Sequence, residues 1–234
     1  MGDLISEFNK LLKAASPNEI LSFFNTRYKY EMAFSTSQSA EDQVLTDMIC
    51  SADPLINIFT LDTGRLFNET YALMDIREKK YGIKIHLFFP ESERVEKMVE
   101  EKGINLFYET IENRKLCCHI RKIEPLNRAL TGIKVWISGM RKEQSVTRKD
   151  LELVEWDESR QLMKLYPLIE WNESQVWKYI KENKIPYNEL HDQGYPSIGC
   201  KPCTRSVKQG ESVRSGRWWW ELPENKECGL HSRD

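Results

Sequence analysis

Between Tyr30 and Ser138 short apolar segments alternate with amphipathic ones, and this alternation constrains the fold more than any single motif does. Tyr30 to Ser35, Leu55 to Leu61, Ile83 to Phe89 and Ile133 to Ser138 read as strands. Between them, Ser39 to Ser51, Leu66 to Tyr81, Ser92 to Lys102 and Cys117 to Leu130 carry helical periodicity, with Val44, Leu45, Met48 and Ile49 on one face of the first. The alternation predicts an α/β fold, a mainly parallel sheet with helices on both faces.

Ser16-Pro17-Asn18-Glu19 reads as an N-cap, a proline at the first helical position and a carboxylate at the third. The helix it opens, to about Asn25, joins Leu4 to Ala14 in a helical preface over residues 1–27. Leu151 to Glu155 and Gln161 to Leu165, separated by Trp156 to Arg160, suggest a hairpin, and Asn172 to Gln175 opens a further helix with a capping box. Residues 186–234 have little periodicity and hold four prolines, five glycines and three of the six cysteines. That stretch reads as an irregular C-terminal cap on a single domain spanning 1–234.

Lysine plus arginine (34) against aspartate plus glutamate (36) gives a net charge of −2. No overall positive field exists to hold a nucleic-acid polymer or an anionic membrane, so any anion site must be local. The longest apolar runs fall short of the roughly 18 to 20 residues that span a bilayer, and Met1 to Lys13 lacks the apolar core of a signal peptide. A soluble, cytoplasmic protein is expected. In a reducing compartment six cysteines in 234 residues point to metal binding or thiol chemistry rather than disulfides.

Three loops follow predicted strands, where a doubly wound sheet binds ligands. Ser35-Thr36-Ser37-Gln38-Ser39 places small hydroxyl residues before a helix, able to wrap a phosphate or sulfate, although it lacks the glycines and lysine of a Walker loop. Leu61-Asp62-Thr63-Gly64 offers a carboxylate and backbone groups to a ribose or base. Ile137 to Ser145 supplies Gly139 and Arg141. Each alone also reads as an N-cap turn, an Asx turn or a solvated charge run.

The cysteines divide by spacing. Cys117-Cys118 and Cys200-Lys201-Pro202-Cys203 make two thiol pairs, and adjacent cysteines suit a 4Fe-4S cube better than one tetrahedral zinc. Zinc, or four unrelated buried thiols, are the alternatives. Arg114, Lys115, His119, Arg121 and Lys122 surround the first pair, while Lys201, Arg205, Lys208, Arg214 and Arg217 accompany the second. Such cations would stabilise an anionic cluster and an anionic substrate. Cys50, beside Met48 and Ile49, reads as a packing thiol. Cys228, in Glu227-Cys228-Gly229-Leu230-His231, is a candidate nucleophile or a merely exposed thiol.

Together these residues resemble the assimilatory adenylyl-sulfate (APS) reductases, a branch of the phosphoadenylyl-sulfate (PAPS) reductase family. The matching elements are Phe34 to Asp42, Leu61 to Gly64 with Phe67 to Tyr71, Cys117 to Lys122 with Glu124 to Leu126, Gly139 to Arg141 with Gln144-Ser145, Gly199 to Thr204, and Cys228 to His231. The resemblance implies an adenine nucleotide alpha-hydrolase-like fold and one 4Fe-4S cluster per chain on Cys117, Cys118, Cys200 and Cys203. It implies reduction of APS by thioredoxin, or a glutaredoxin-like reductant, to sulfite and AMP, in sulfate assimilation, through an S-sulfocysteine on Cys228. It also places Lys122, Arg214 and Arg217 among the phosphosulfate-binding cations. Ser35, Thr36, Ser37, Ser39, Leu61, Asp62, Thr63, Gly64, Gly139 and Arg141 would complete the substrate site. Where many relatives carry a histidine shortly before the Cys pair, this chain has Arg114.

Reduction of PAPS, or of both substrates, is the nearest alternative. An ATP-using adenylating enzyme would need a Gly-Gly-Lys-type loop and would leave Cys228 idle, and an RNA-binding zinc module is disfavoured by the charge balance. Homo-oligomerisation is left open.

Overall fold

The computed structural model describes residues 2–52, 56–144 and 148–222. Cys228 and Ser145 lie outside the described residues. Among them no helix is long and apolar enough to cross a membrane.

The preface forms α1 (Gly2–Leu11) and α2 (Pro17–Tyr28). Both halves of the expected capping box are made: Glu19 N donates to Ser16 Oγ at 3.4 Å, and Ser16 N donates to Glu19 Oε2 at 2.7 Å. The alternating region gives β1 (Met32–Ser35), α3 (Ala40–Ala52), β2 (Asn57–Leu61), α4 (Asn68–Tyr81), β3 (His86–Phe88), α5 (Ser92–Lys102), α6 (Ile111–Cys118), α7 (Glu124–Ala129) and β4 (Val135–Ile137). Then come β5 (Val154–Asp157), β6 (Leu162–Leu165) and α8 (Glu173–Glu182). From residue 186 to 222 only short 3-10 turns and one isolated bridge, Thr204 to Arg217, occur, as the loss of periodicity predicts.

The six strands form one sheet in the order β3-β2-β1-β4-β6-β5, with helices around it. β1 pairs in parallel with β2 and β4, β4 in parallel with β6, and β5 runs antiparallel to β6. The chain lays down β1, β2 and β3 in one direction and then places β4 on the other side of β1. The carboxyl ends of β1 and β4, Ser35 and Ile137, therefore flank the topological switch point, where such sheets bind ligands. On the far edge, Asn9 of α1 exchanges two hydrogen bonds with the main chain of Val154 at 2.9 Å each, satisfying part of the outer rim of β5.

Two expectations need correction. The cysteine pair does not head a helix. Thr110 caps α6 by accepting from Asn113 N at 3.1 Å, so the helical run starts at Ile111 and Cys117-Cys118 close α6. A π-type turn, His119–Ile123, then carries the chain into α7. The hairpin turn is also shorter than the sequence suggests. Trp156 and Asp157 continue β5, because they pair with Met163 and Leu162.

By packing the chain divides into two compact units: Met1–Thr60, Ala72–His86 and Gly132–Asn188 make the first, and Leu61–Tyr71, Leu87–Thr131 and Glu189–Asp234 the second. The first holds the main core, in which Phe24, Phe34, Val44, Leu45, Ile49, Val135, Ile137 and Leu165 are all but sealed from solvent. The second holds a smaller cluster in which Met98, Leu106, Phe107 and Trp218 pack with Cys117, Cys118 and Cys203.

Candidate active site

In the first unit the loop after β1 is tightly built. Thr36 is 3% exposed. Its N–H donates to Phe59 O at 2.8 Å, its carbonyl accepts from Thr60 Oγ1 at 2.6 Å, and its Oγ1 accepts from Gln38 N at 3.2 Å. Gln38 stands in the left-handed region at φ 66, which turns the chain into α3. Ser39 occupies the N-cap position, accepting from Asp42 N at 3.4 Å. Ser37 donates from both N and Oγ to Asp42 Oδ2 at 2.6 and 2.7 Å, and Ser35 Oγ accepts from Trp136 Nε1 at 2.7 Å. Burial raises the Asp42 carboxyl to about 6, against the pull of the two Ser37 donors.

Gly139, after β4, is required by space. A Cβ there would lie 2.4 Å from Asp42 Oδ1 and 3.1 Å from Glu41 Cβ. Arg141, expected to face an anion, is instead engaged by protein acceptors. Its Nε and Nη2 meet Glu41 Oε1 at 2.9 and 2.8 Å, and its Nη1 donates to Glu143 Oε2 and to Trp171 O.

The second unit assembles the thiols. Cys117 and Cys118 at the end of α6 meet Cys200 and Cys203 around one small cavity, lined also by Arg65, Phe107, Arg114, Arg121, Lys122 and Pro202. Cys200 and Cys203 sit on a 3-10 turn closed by Cys203 N donating to Cys200 O at 2.9 Å. Burial pushes the Cys203 thiol up to about 12 and also raises Cys117. Cys200 is different. Burial pushes it up as well, yet Lys122, the Thr63 hydroxyl at 3.2 Å, Arg217 and Arg121 together outweigh that and hold it below the ordinary thiol value. Cys50, half-buried against the main core, is pushed up to about 11, as suits an inert packing thiol.

Asp62 follows β2 and makes the Asx turn that the sequence allows, accepting from Gly64 N at 2.8 Å and from Tyr71 OH at 2.9 Å. Thr63, expected at a nucleotide, has its hydroxyl on Cys200 and its carbonyl taking Arg121 Nη1 at 2.6 Å. Arg217 lies with its guanidinium 4.6 Å from the Trp218 ring centroid, and Arg214 and Arg114 lie 6.0 and 4.9 Å from it. Gly199 is the close approach here, since a Cβ would fall 2.3 Å from Arg217 Nη2.

Two buried residues of these sites are not marked as site residues by the sequence pattern alone. Trp218 is 1% exposed with its Nε1 lacking a hydrogen-bond partner, and nothing in the triple tryptophan run marks which ring goes inside. Arg77 has no exposed surface, and its spacing from Leu73 and Met74 on the inner face of α4 was a usable signal.

The model of the phosphoadenosine phosphosulfate reductase domain matches residues 31–206. The chain belongs to the phosphoadenosine phosphosulfate reductase family. Within that family, it is 50% identical over 203 residues to the adenosine 5'-phosphosulfate reductase of Allochromatium vinosum, covering 87% of this chain and 79% of that protein. It is 51% identical over 201 residues to the enzyme of the same name from Burkholderia cepacia, covering 86% and 80%. Among solved structures, the family's phosphoadenylyl-sulfate reductase from Candida auris superposes with a TM-score of 0.74 at 32% identity, over 87% of this chain and 96% of that one. The FMN adenylyltransferase of Candida glabrata, at 17% identity and TM-score 0.57, shares the fold alone.

Proposed function

We propose that this chain reduces adenosine 5'-phosphosulfate to sulfite and AMP in sulfate assimilation. The observation that carries the reading is identity of about 50% across most of the chain with proteins named for that reaction. Identity to the phosphoadenylyl-sulfate reductase structure is lower, at 32%, which favours the nucleotide that lacks the additional phosphate.

Cys117, Cys118, Cys200 and Cys203 would hold a 4Fe-4S cluster. Among the described residues no three His, Cys, Asp or Glu side chains are placed to hold a metal ion as they stand, but the four thiols share one cavity. Beside them, Arg121 Nε, Arg217 Nε and Trp218 Nε1 are buried without acceptors, and sulfide and thiolate sulfurs would supply these. The donor set and its surroundings thus fit the group. When bound, the cluster supplies a fixed, four-thiolate anionic anchor that ties the two pairs together.

The protein's own groups account for the rest. The Ser35 to Ser39 loop, with Asp62, Thr63 and Gly64, takes the nucleotide end, and Lys122, Arg214 and Arg217 neutralise the phosphosulfate. The Cys228 thiolate attacks the sulfur of the substrate. A sulfur–sulfur bond forms, the sulfur–oxygen bond breaks, and AMP leaves with that electron pair, needing no strong acid because its phosphate spreads the charge. A thioredoxin dithiol then attacks Cys228 sulfur, expels sulfite and closes to a disulfide, supplying the two electrons.

The test is anaerobic purification with iron and sulfide assays, then incubation with the substrate and mass spectrometry. About four irons per chain and a sulfo adduct on Cys228 are expected. An adduct elsewhere, or a Cys228→Ser variant that still releases sulfite at the normal rate, overturns the assignment.

A further inference from the structure

Arg77, on α4, is sealed from solvent beneath the loop that follows β1. Its Nη1 donates to Thr36 Oγ1 at 3.1 Å and to Thr46 Oγ1 at 3.2 Å, while Nε and Nη2 are buried without hydrogen-bond partners. Burial lowers its pKa only to about 10, so the guanidinium is charged at neutral pH. A cation held this way, on two neutral hydroxyls, is costly, and an apolar side chain of similar length would pack there at less cost.

The charges around the loop give that cation a purpose. A helix N-terminus attracts anions, but the first turn of α3 carries two acids, Glu41 and Asp42, both buried. Glu41 is neutralised in contact by Arg141. Asp42 spends its Oδ2 on Ser37, and among the ionic groups acting on Arg77 its charge is foremost. Without Arg77, the Ser35 to Ser39 loop would carry an uncompensated carboxylate just behind the amides that must face a phosphate.

We propose that Arg77 is a positioning residue for the nucleotide 5'-phosphate. It fixes Thr36 from behind and offsets Asp42, so that the loop accepts a dianion which Arg77 itself does not touch. The proposal rests on the reading of this loop as the nucleotide site.

The test compares binding of AMP and of uncharged adenosine, by titration calorimetry, to the full chain purified anaerobically. Arg77→Met should weaken AMP about tenfold, the order of one fixed charge acting across a partly screened interior. It should change adenosine less than twofold and should not lower the urea midpoint. Arg77→Lys should restore most of the AMP affinity. Should the Met variant fail to fold, Arg77→Gln keeps a donor for the threonines without the charge, and the same selective loss is expected. Unchanged AMP affinity, or an equal loss for AMP and adenosine, overturns the role of Arg77. A wild-type chain that binds neither overturns the nucleotide reading of the loop itself.

Discussion

Asp157, at the end of β5, is 4% exposed and gathers the turn of the β5–β6 hairpin onto one carboxylate. Ser159 Oγ and Arg160 N donate to Oδ1 at 2.6 and 3.1 Å, and Arg160 Nη1 and Lys164 Nζ reach Oδ2 at 2.9 and 3.0 Å. Burial alone would raise this acid, yet the donors win and hold it at about 2, down from an ordinary 3.8. At about 1.4 kcal/mol per tenfold change in proton affinity, the ionised form contributes about 2 kcal/mol of stability. Because the folded pKa is the lower one, that contribution is complete above about pH 4 to 5 and disappears as pH falls toward 2. Asp157→Asn should therefore lower the unfolding free energy at pH 7 by at least about 2 kcal/mol, more to the extent that Lys164 is left buried without its acid. Urea titrations of both proteins, at pH 7 and at steps down to pH 2.5, should show the gap closing in the acid range. A gap under about 0.5 kcal/mol at pH 7, or one that stays constant down to pH 2.5, would refute the reasoning.

Gly139→Ala should cost at least about tenfold in AMP affinity with the fold retained, because a Cβ 2.4 Å from Asp42 Oδ1 must push the start of α3 away from the loop. Calorimetry beside circular dichroism checks it, and unchanged binding would show that the contact relaxes harmlessly. Glu221→Gln removes the acid that meets Arg114 at 2.9 and 2.8 Å, in a pair with side chains 3% and 1% exposed. A loss of about 3 kcal/mol in urea unfolding is expected from breaking such a buried pair, and a loss below about 1 kcal/mol would mean that other groups support Arg114.

The alternation of strands and helices made the α/β class legible, and the capping boxes at Ser16 and Asn172 marked two helix starts, because caps and periodicity are local properties of the chain. The paired cysteines and the short loops at strand ends were legible for the same reason: their spacing is written in consecutive residues. Which strands become neighbours is not local. The β1–β4 adjacency that makes the switch point joins segments about a hundred residues apart. The environment of each charge is likewise a tertiary property, since burial and partners come from elsewhere in the chain. Only the folded unit directs Arg141 to Glu41 rather than outward, puts Thr63 on Cys200, and seals Arg77 behind Thr36. Which chemical groups are available, and in what local order, is written in the chain; which of them are desolvated together is set by the fold, and desolvation is what turns an ordinary arginine or thiol into a functional one.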